Sequence, residues 1–572
     1  MKYKKFIIEK YRAITEPLEV SLDKNSLVPI IGVNECGKTT ILQAIFSFDN
    51  SNDNLLDGIH LKNVENLYDT SSQESIVSAE IEISWDEIKD RVNNIKDSTN
   101  ESVANSYKKK KKQFEETTSF IISRNIKKDK YSINIITFND TIFNDKLCRE
   151  ILRFLPYILY FDDFRDSVEE KIEIKKDENG KVIGWLSIIE QLFKKTDKNY
   201  SVFDLSTHDT NKRDSIISDV TGVLNAKLTS EWSNFKLDNS DPLKISLKPI
   251  IEGTDPNQRY FIELKIIETI SVGEVLKDRY FGIRDRSKGF YWFFNFVMKL
   301  YFNPKVRSLN DKDTIYLLDE PGSYLHAIAQ TKLCNKLAEL SQENKVIYCT
   351  HSHYLLDPEI IPINNIKVAD KNDSGAVILK TIHSYNEDDP QKRNAFQPIW
   401  DALKLKPYEL DLTNKKIVIV EGITDYYAFR MFNEKIGILK KTSFLPALNA
   451  ESISYFVSLM IAWQKEYVAL WDNDEEGRKE KEKAEIIFHD VESEKFFALP
   501  KISRSKKITL ESLFDGNDVN LIKTELGIPN NTKLKKAIIS LFFAKNRKDI
   551  LNKISSKTKN NFKNVFETLN LK

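Results

Sequence analysis

A chain of 572 residues is too long for one hydrophobic core, so about two to four domains are expected. Its 86 Lys and Arg against 85 Asp and Glu exclude a globally basic protein, leaving nucleic-acid binding to local faces. No apolar run approaches the roughly 18 residues a membrane helix needs. The basic start Met1–Lys5 precedes too short an apolar stretch for a signal segment. Four scattered cysteines show neither metal spacing nor a disulfide framework, and a cytoplasmic protein with no membrane partner is expected.

In chain order, Lys5–Lys10 and Leu18–Leu22 alternate as strands flanking Tyr11-Arg12. The apolar stretch ending at Ile31 reads as a buried strand, and apolar spacing from Thr40 to Phe46 reads as a helix. Between them runs Gly32-Val33-Asn34-Glu35-Cys36-Gly37-Lys38-Thr39. Strand, glycine loop and helix are the context of a phosphate-binding loop: backbone N–H groups and the helix dipole face the anion. Lys38 reaches the outer phosphates, and the Thr39 hydroxyl ligates Mg²⁺. Asn34, Gly37, Lys38, Thr39 and Thr40 are therefore candidate ATP-binding residues.

Glu80–Ser84 alternates as a half-buried strand, and Lys108–Lys112 reads as a solvated loop or helix end rather than a dedicated DNA contact. Phe154–Phe161 is a second buried strand, and a hairpin is expected across Asn179-Gly180. Ile216, Ile217, Val220, Val223, Leu224, Leu228 and Trp232 form one helical stripe, in what reads as an insertion with a small core of its own; the stripe suits internal packing or a dimer contact equally. Strands Leu243–Ile251 and Tyr260–Ile267 join through the turn Gly253-Thr254-Asp255-Pro256, and a helix starts near Gly289.

Asp313–Leu318 is a strand that delivers Asp319 to the magnesium side of the phosphates and Glu320 to the attacking water. The strand Lys345–Cys349 leads to His351, which can contact the γ-phosphate, and Arg286-Ser287-Lys288-Gly289 heads a long apolar helix. This order resembles the ATPase heads of the ABC type, in the branch that holds the SMC proteins, RecF and the OLD (overcoming lysogenization defect) family of ATP-dependent nucleases. The resemblance implies that Ser287 and Gly289 contact ATP held by a second head, and Arg12 matches an N-terminal aromatic-Arg pair. The signature is reduced to Ser-Lys-Gly, the Q-loop glutamine has no assigned position, and no heptad tract supports coiled-coil arms.

A second constellation follows the polar stretch 381–414. The strand Lys415–Val420 delivers Glu421-Gly422-Ile423-Thr424-Asp425, and Tyr467–Leu470 leads to Trp471-Asp472-Asn473-Asp474-Glu475-Glu476-Gly477. Two parallel strands joined by a helix would set Glu421 beside Asp472 and Asp474 at one sheet edge. Converging carboxylates need hard cations among them, and oxygen ligands suit Mg²⁺ or Mn²⁺. The pattern resembles a Toprim domain, although OLD sequences often carry Glu where Asp425 stands. The resemblance implies a late acid, for which Glu511 is the candidate, and a basic residue among Arg504, Lys506 and Lys507. The last 42 residues hold ten Lys and one Arg against one Asp and one Glu, a phosphate-facing surface or an ordinary solvated face.

Together the two resemblances imply an α/β chain. An ABC-type ATPase with a mixed sheet spans 1–165 and 241–380, with a helical insertion at 166–240. A linker covers 381–414, and a Rossmann-like parallel-sheet Toprim domain covers 415–572. The implied activity is ATP-regulated, metal-dependent DNA cleavage in antiphage defence. Glu320, Glu421, Asp472 and Asp474 would be catalytic, and Thr39, Asp319, Glu421, Asp425, Asp472, Asp474 and Glu511 would be metal ligands. Implied partners are DNA, a second copy of the chain and a defence-system protein or RNA. The alternatives are a non-nucleolytic ATP-driven clamp or sensor and an RNA-cleaving effector.

Overall fold

The computed structural model describes every residue except 1, 23–25, 51–73, 83–85, 87–88, 91–118, 135–140, 163–167, 179, 208, 236–243, 255–256, 273–274, 305–312, 358–359, 363–364, 382–415, 448, 463–465, 489–492, 502–506 and 571–572. The lysine run 108–112 and the stretch 382–415 therefore lie outside the described residues. The chain forms two compact units, Met1–Asp357 with Asn365–Lys380, and Pro358–Asn364 with Thr381–Lys572. Among the described residues no helix is long and apolar enough to cross a membrane.

In the first unit β1 (Lys2–Glu9) pairs antiparallel with β2 (Leu18–Ser21). After β3 (Leu27–Ile31) and α1 (Lys38–Phe46), the chain returns to that sheet through β4 (Ile76–Glu82), β5 (Ser119–Asn125) and β6 (Lys130–Ile133). The helix α2 (Thr141–Leu152) then leads to β7 (Tyr157–Asp162), which enters a second sheet. That sheet runs β15-β14-β3-β13-β12-β7, with β12 (Thr314–Asp319), β13 (Lys345–Thr350), β14 (Lys367–Lys371) and β15 (Val377–Thr381). Its strands β3, β7 and β12 are buried at every position, as parallel strands covered on both faces must be. One core holds Phe6, Val20 and Ile122 with Ile41, Leu42, Ile45, Ile158 and Ile347, so α1 is packed between the two sheets.

A third sheet carries β8 (Lys171–Glu173), β9 (Lys244–Glu252), β10 (Arg259–Val272) and β11 (Val275–Gly282). The expected hairpin across Asn179-Gly180 is not formed there: β8 pairs with β10 instead. A turn does close at this point, from Asp177 to Lys181, but helix α3 (Gly184–Thr196) follows it rather than a strand. After the short α4 (Asp204–Thr207), the stripe expected from sequence lies on α5 (Thr210–Phe235), with Ile216, Val220, Leu224 and Leu228 buried. Its Trp232 ring packs 4.7 Å from Phe293 and 5.0 Å from Phe290 on α6 (Lys288–Phe302), followed in the chain by α7 (Ala327–Leu340). This stripe is internal packing, and Val223 alone of its members stands exposed.

The second unit is built on an all-parallel sheet, β17-β16-β18-β19. It comprises β16 (Lys416–Val420), β17 (Thr442–Pro446), β18 (Tyr467–Trp471) and β19 (Phe496–Ala498). Alternation along β16 and β18 sends Val418, Val420, Val468 and Leu470 into one core and Ile417, Ile419, Ala469 and Trp471 into another. Helices accordingly cover both faces. α8 (Ile423–Ile436), α12 (Leu534–Phe542) and α14 (Ser556–Asn570) lie on the first. α9 (Ser452–Ala462) and α10 (Glu475–Ile487) lie on the second. α11 (Gly516–Glu525) and α13 (Arg547–Lys553) complete the unit.

Candidate functional site

The loops that follow β3, β12 and β13 meet at the carboxyl edge of the six-stranded sheet, where ligands of open α/β sheets bind. They enclose a cavity of about 680 Å³ lined by Asn34, Gly37, Lys38, Thr39, Thr40, Glu320 and His351, among others. Gly37 has φ +95°, and a Cβ there would stand 2.4 Å from Val377 Cγ2; a Cβ on Gly32 would stand 2.4 Å from the Ala369 carbonyl oxygen. Only glycine allows this curl.

Lys38 is buried, and its Nζ donates to the carbonyls of Gly32 and Val33 at 3.1 Å each. The same Nζ lies 2.8 Å from His351 Nε2 and 3.8 Å from Glu320 Oε1. Burial, reinforced by Lys38, lowers His351 to about 4, so the ring is neutral. A neutral ring cannot both accept from Lys38 and donate to Glu320 through one nitrogen, and Lys38 has only protons to offer. Nε2 is therefore an acceptor. Glu320 Oε2 accepts from the His351 N–H at 3.1 Å. Burial raises the Glu320 carboxyl to about 7, against the lowering pull of Lys38. Its φ is +47°, in the left-handed region that costs a non-glycine residue about 1–2 kcal/mol, and its N–H bond to Cys349 O helps hold it there.

Asp319 is buried at the end of β12 and accepts from Tyr160 at 3.0 Å; it does not line the cavity. Ser287 caps α6 by accepting from the Phe290 N–H at 3.3 Å, and Gly289 faces Tyr324 and Leu325; neither lines the cavity. Arg12 donates to Gln43 on α1 at 2.6 Å. Residues the sequence reading passed over include Gln330, Ser352, His353 and Tyr354, all of which line the cavity. Ser352 to Tyr354 follow directly on His351, a signal the sequence did contain; Gln330 had none.

In the second unit β16 and β18 are neighbours in parallel register, with Val420 opposite Leu470, so Glu421 and Asp472 leave adjacent strands side by side. The path between them differs from the expected single helix: α8, β17 and α9 all intervene, and β17 adds on the far side of β16. Glu421 Oε1 accepts from the Asp472 N–H at 2.8 Å. Asp474 caps α10 by accepting from the Gly477 N–H at 2.9 Å. A Cβ on Gly477 would stand 2.2 Å from the Asp472 carbonyl oxygen and 3.0 Å from Glu421 Oε1, which explains the glycine of the motif. A two-way bridge between Asn473 and Ile508 brings Glu511 to the same edge.

Burial raises Asp472 to about 8, with Asp425, Glu421, Glu511 and Asp474 adding repulsion. Burial likewise raises Glu421 to about 7, and Asp425 to about 7 against the pull of Lys535. Lys507 stands 3.4 Å from Asp474 and Lys535 3.7 Å from Glu511, while Arg504 and Lys506 lie outside the described residues. Lys535, on α12, was not anticipated: in sequence it is one lysine of a basic tail. Among the described residues no three His, Cys, Asp or Glu side chains are grouped closely enough to hold a metal ion as they stand. The donor set nonetheless fits a hard divalent cation in its chemistry, being oxygen throughout and short of positive charge.

A glycine loop between buried strand and helix, with an Asp-Glu pair and a histidine on the neighbouring strand ends, defines a P-loop ATPase. The family described as AAA ATPase domain matches residues 1–356, and the chain belongs to it. An uncharacterized protein of Methanocaldococcus jannaschii is 36% identical over 74 residues, 13% of this chain and 19% of that protein. The chain thus matches about a fifth of that relative's length. Among solved structures, an SMC head bound to the C-winged helix domain of ScpA is similar at 12% identity and TM-score 0.36, over 68% of this chain and 100% of that one. The SMC head domain from Thermotoga maritima is similar at 13% identity and TM-score 0.32, over 67% and 99%. At these scores the likeness establishes no shared function.

Proposed function

We propose that the chain is an ATP-regulated, divalent-metal-dependent DNA endonuclease of the OLD type, an ABC-type ATPase head followed by a Toprim-like nuclease unit. The observation that carries the nuclease half is the placement of Glu421 and Asp472 just beyond the ends of adjacent parallel strands, where burial first and neighbouring carboxylates second raise both pKa values. Glu421, Asp425, Asp472, Asp474 and Glu511 would hold Mg²⁺ or Mn²⁺, and a bound cation there supplies an activated water and a stabilised leaving oxygen. Lys507 and Lys535 stand where a cation facing a phosphate belongs.

In the ATPase half, Lys38 and the loop N–H groups bind the phosphates, while Thr39 and Asp319 serve Mg²⁺. Glu320 orients and activates water, and neutral His351 reads the γ-phosphate. Ser287 and Gly289, exposed to solvent or partly so and outside the cavity of their own chain, are assigned to the ATP of a second copy, making a homodimer. A role in antiphage defence, alongside a protein or RNA partner, rests on the resemblance to OLD nucleases alone.

The rival reading is a non-nucleolytic clamp that closes on DNA with ATP; the carboxylates gathered around Asp472 argue against it, because binding alone would favour cations there. Plasmid nicking with Mg²⁺ or Mn²⁺, with and without ATP, decides between them, and a labelled RNA in parallel tests the RNA-cleaving alternative. Cleavage dependent on the metal supports the nuclease; binding without cleavage under every ion supports the clamp.

The basic tail gives a separate expectation. A fragment of residues 410–572 contains both cores of the second unit and should fold alone. It should bind DNA through Lys residues of α12 to α14, with affinity falling about tenfold or more between 50 and 200 mM salt. Fluorescence anisotropy across that range checks it, and salt-independent binding would remove the case for a phosphate-facing surface.

A further inference from the structure

Gln330 lines the cavity from the first turn of α7 and touches both loops to which the ATPase chemistry is assigned. Its Nε2 donates to the carbonyls of Gly322 and Leu325, each at 3.0 Å. These belong to the loop that begins at Glu320. Its Oε1 accepts from the Ser352 hydroxyl, one residue beyond His351. Ser352 in turn accepts from the Tyr354 N–H at 3.2 Å, and its own N–H donates to Thr350 Oγ1 at 2.9 Å. The amide orientation is unambiguous, because a flip would press its oxygen against two carbonyl oxygens. Gly322 suits only glycine: φ is +75°, and a Cβ there would stand 2.7 Å from Leu333 Cδ2.

We infer that Gln330 is a positioning residue for ATP hydrolysis, a clamp that fixes the Glu320 loop against the His351 loop so that both side chains meet the γ-phosphate in one geometry. The inference rests on Glu320 and His351 acting there. Lys38 and the bond from the His351 N–H to Glu320 also join the two loops, and Gln330 adds a further tie between them where Glu320 sits in a strained conformation. The bonds of Gln330 run to Gly322, Leu325 and Ser352 rather than to the P-loop, so its loss should leave the Lys38 contacts in place and nucleotide affinity and turnover should separate. That split is what distinguishes positioning from general structural support.

The test is steady-state ATPase of the full chain, with nucleotide affinity from a fluorescent ATP analogue and the thermal midpoint measured in parallel. Gln330→Ala should lower kcat about 10- to 100-fold, the cost of a small misplacement of catalytic groups, with KM and analogue affinity within about threefold. Ser352→Ala removes one hydroxyl from the same clamp and should lower kcat in the same direction. The double variant should be no worse than the more severe single one, because both break one connection. Gln330→Glu keeps the acceptor and faces two carbonyls with a carboxylate, so it should not rescue. Wild-type kcat in Gln330→Ala overturns the clamp, as does a parallel loss of affinity, midpoint and kcat. Glu320→Gln keeps the two readings apart: if it retains full activity the role of Glu320 fails, whereas if it is inactive and Gln330→Ala is not, only the clamp fails.

Discussion

Replacement of Asp472 by alanine is expected to abolish DNA nicking while ATP hydrolysis continues at the wild-type rate. Loss of a residue that merely supports a metal ligand costs roughly 10- to 100-fold, so removal of a ligand itself should exceed that under Mg²⁺ and Mn²⁺ alike. The fold should survive. Asp472 leaves the end of β18 after Trp471, whose ring is fully buried and whose Nε1 donates to Ala450 O at 3.0 Å. The bond between the Asp472 N–H and Glu421 belongs to the backbone and is kept by alanine. Removing one of several mutually repelling carboxylates should also leave the metal-free protein no less stable than wild type. On the proposed assignment ATP hydrolysis depends on Lys38, Glu320 and His351, which belong to the first unit. Wild-type nicking by Asp472→Ala would sink the nuclease reading in favour of the clamp.

Lys38→Ala carries the second large effect. Its ammonium holds two loop carbonyls and stands beside His351 and Glu320, so alanine removes the cation that organises the loop and, on the proposed assignment, the phosphate ligand with it. Hydrolysis and binding of a fluorescent ATP analogue should both be lost. Glu320→Gln behaves differently, because its amide oxygen can still accept from the His351 N–H while its basicity is gone. Affinity should persist and kcat should fall by about 10²–10⁴-fold, the usual contribution of a general base. The ATP-bound form should then accumulate, and light scattering would report any dimer it makes. Turnover at the wild-type rate in both variants would remove the assignment of this site.

Much of this was legible in sequence because it rests on short-range rules. Buried parallel strands read as unbroken apolar runs, as in Leu27–Ile31 and Thr314–Asp319, and glycines mark close approach, as at Gly37 and Gly477. The acids just beyond those strands, Glu320, Glu421 and Asp472, and the helix cap Asp474 stand where the motifs set them. The hairpin expected at Asn179-Gly180 failed for the converse reason. A turn signal is local, whereas the partner of β8 is β10, nearly ninety residues later.

What sequence alone determined, then, are the buried strands and the glycines and acids that follow them. Tertiary structure decided their company. Gln330 joins the nearby Glu320 loop to Ser352 on the next strand's loop, and Lys535 reaches Glu511 from a helix that reads only as a solvated basic face. Period and propensity describe a residue's neighbours along the chain. A hydrogen bond between loops from different strands depends on sheet order, which no local pattern encodes.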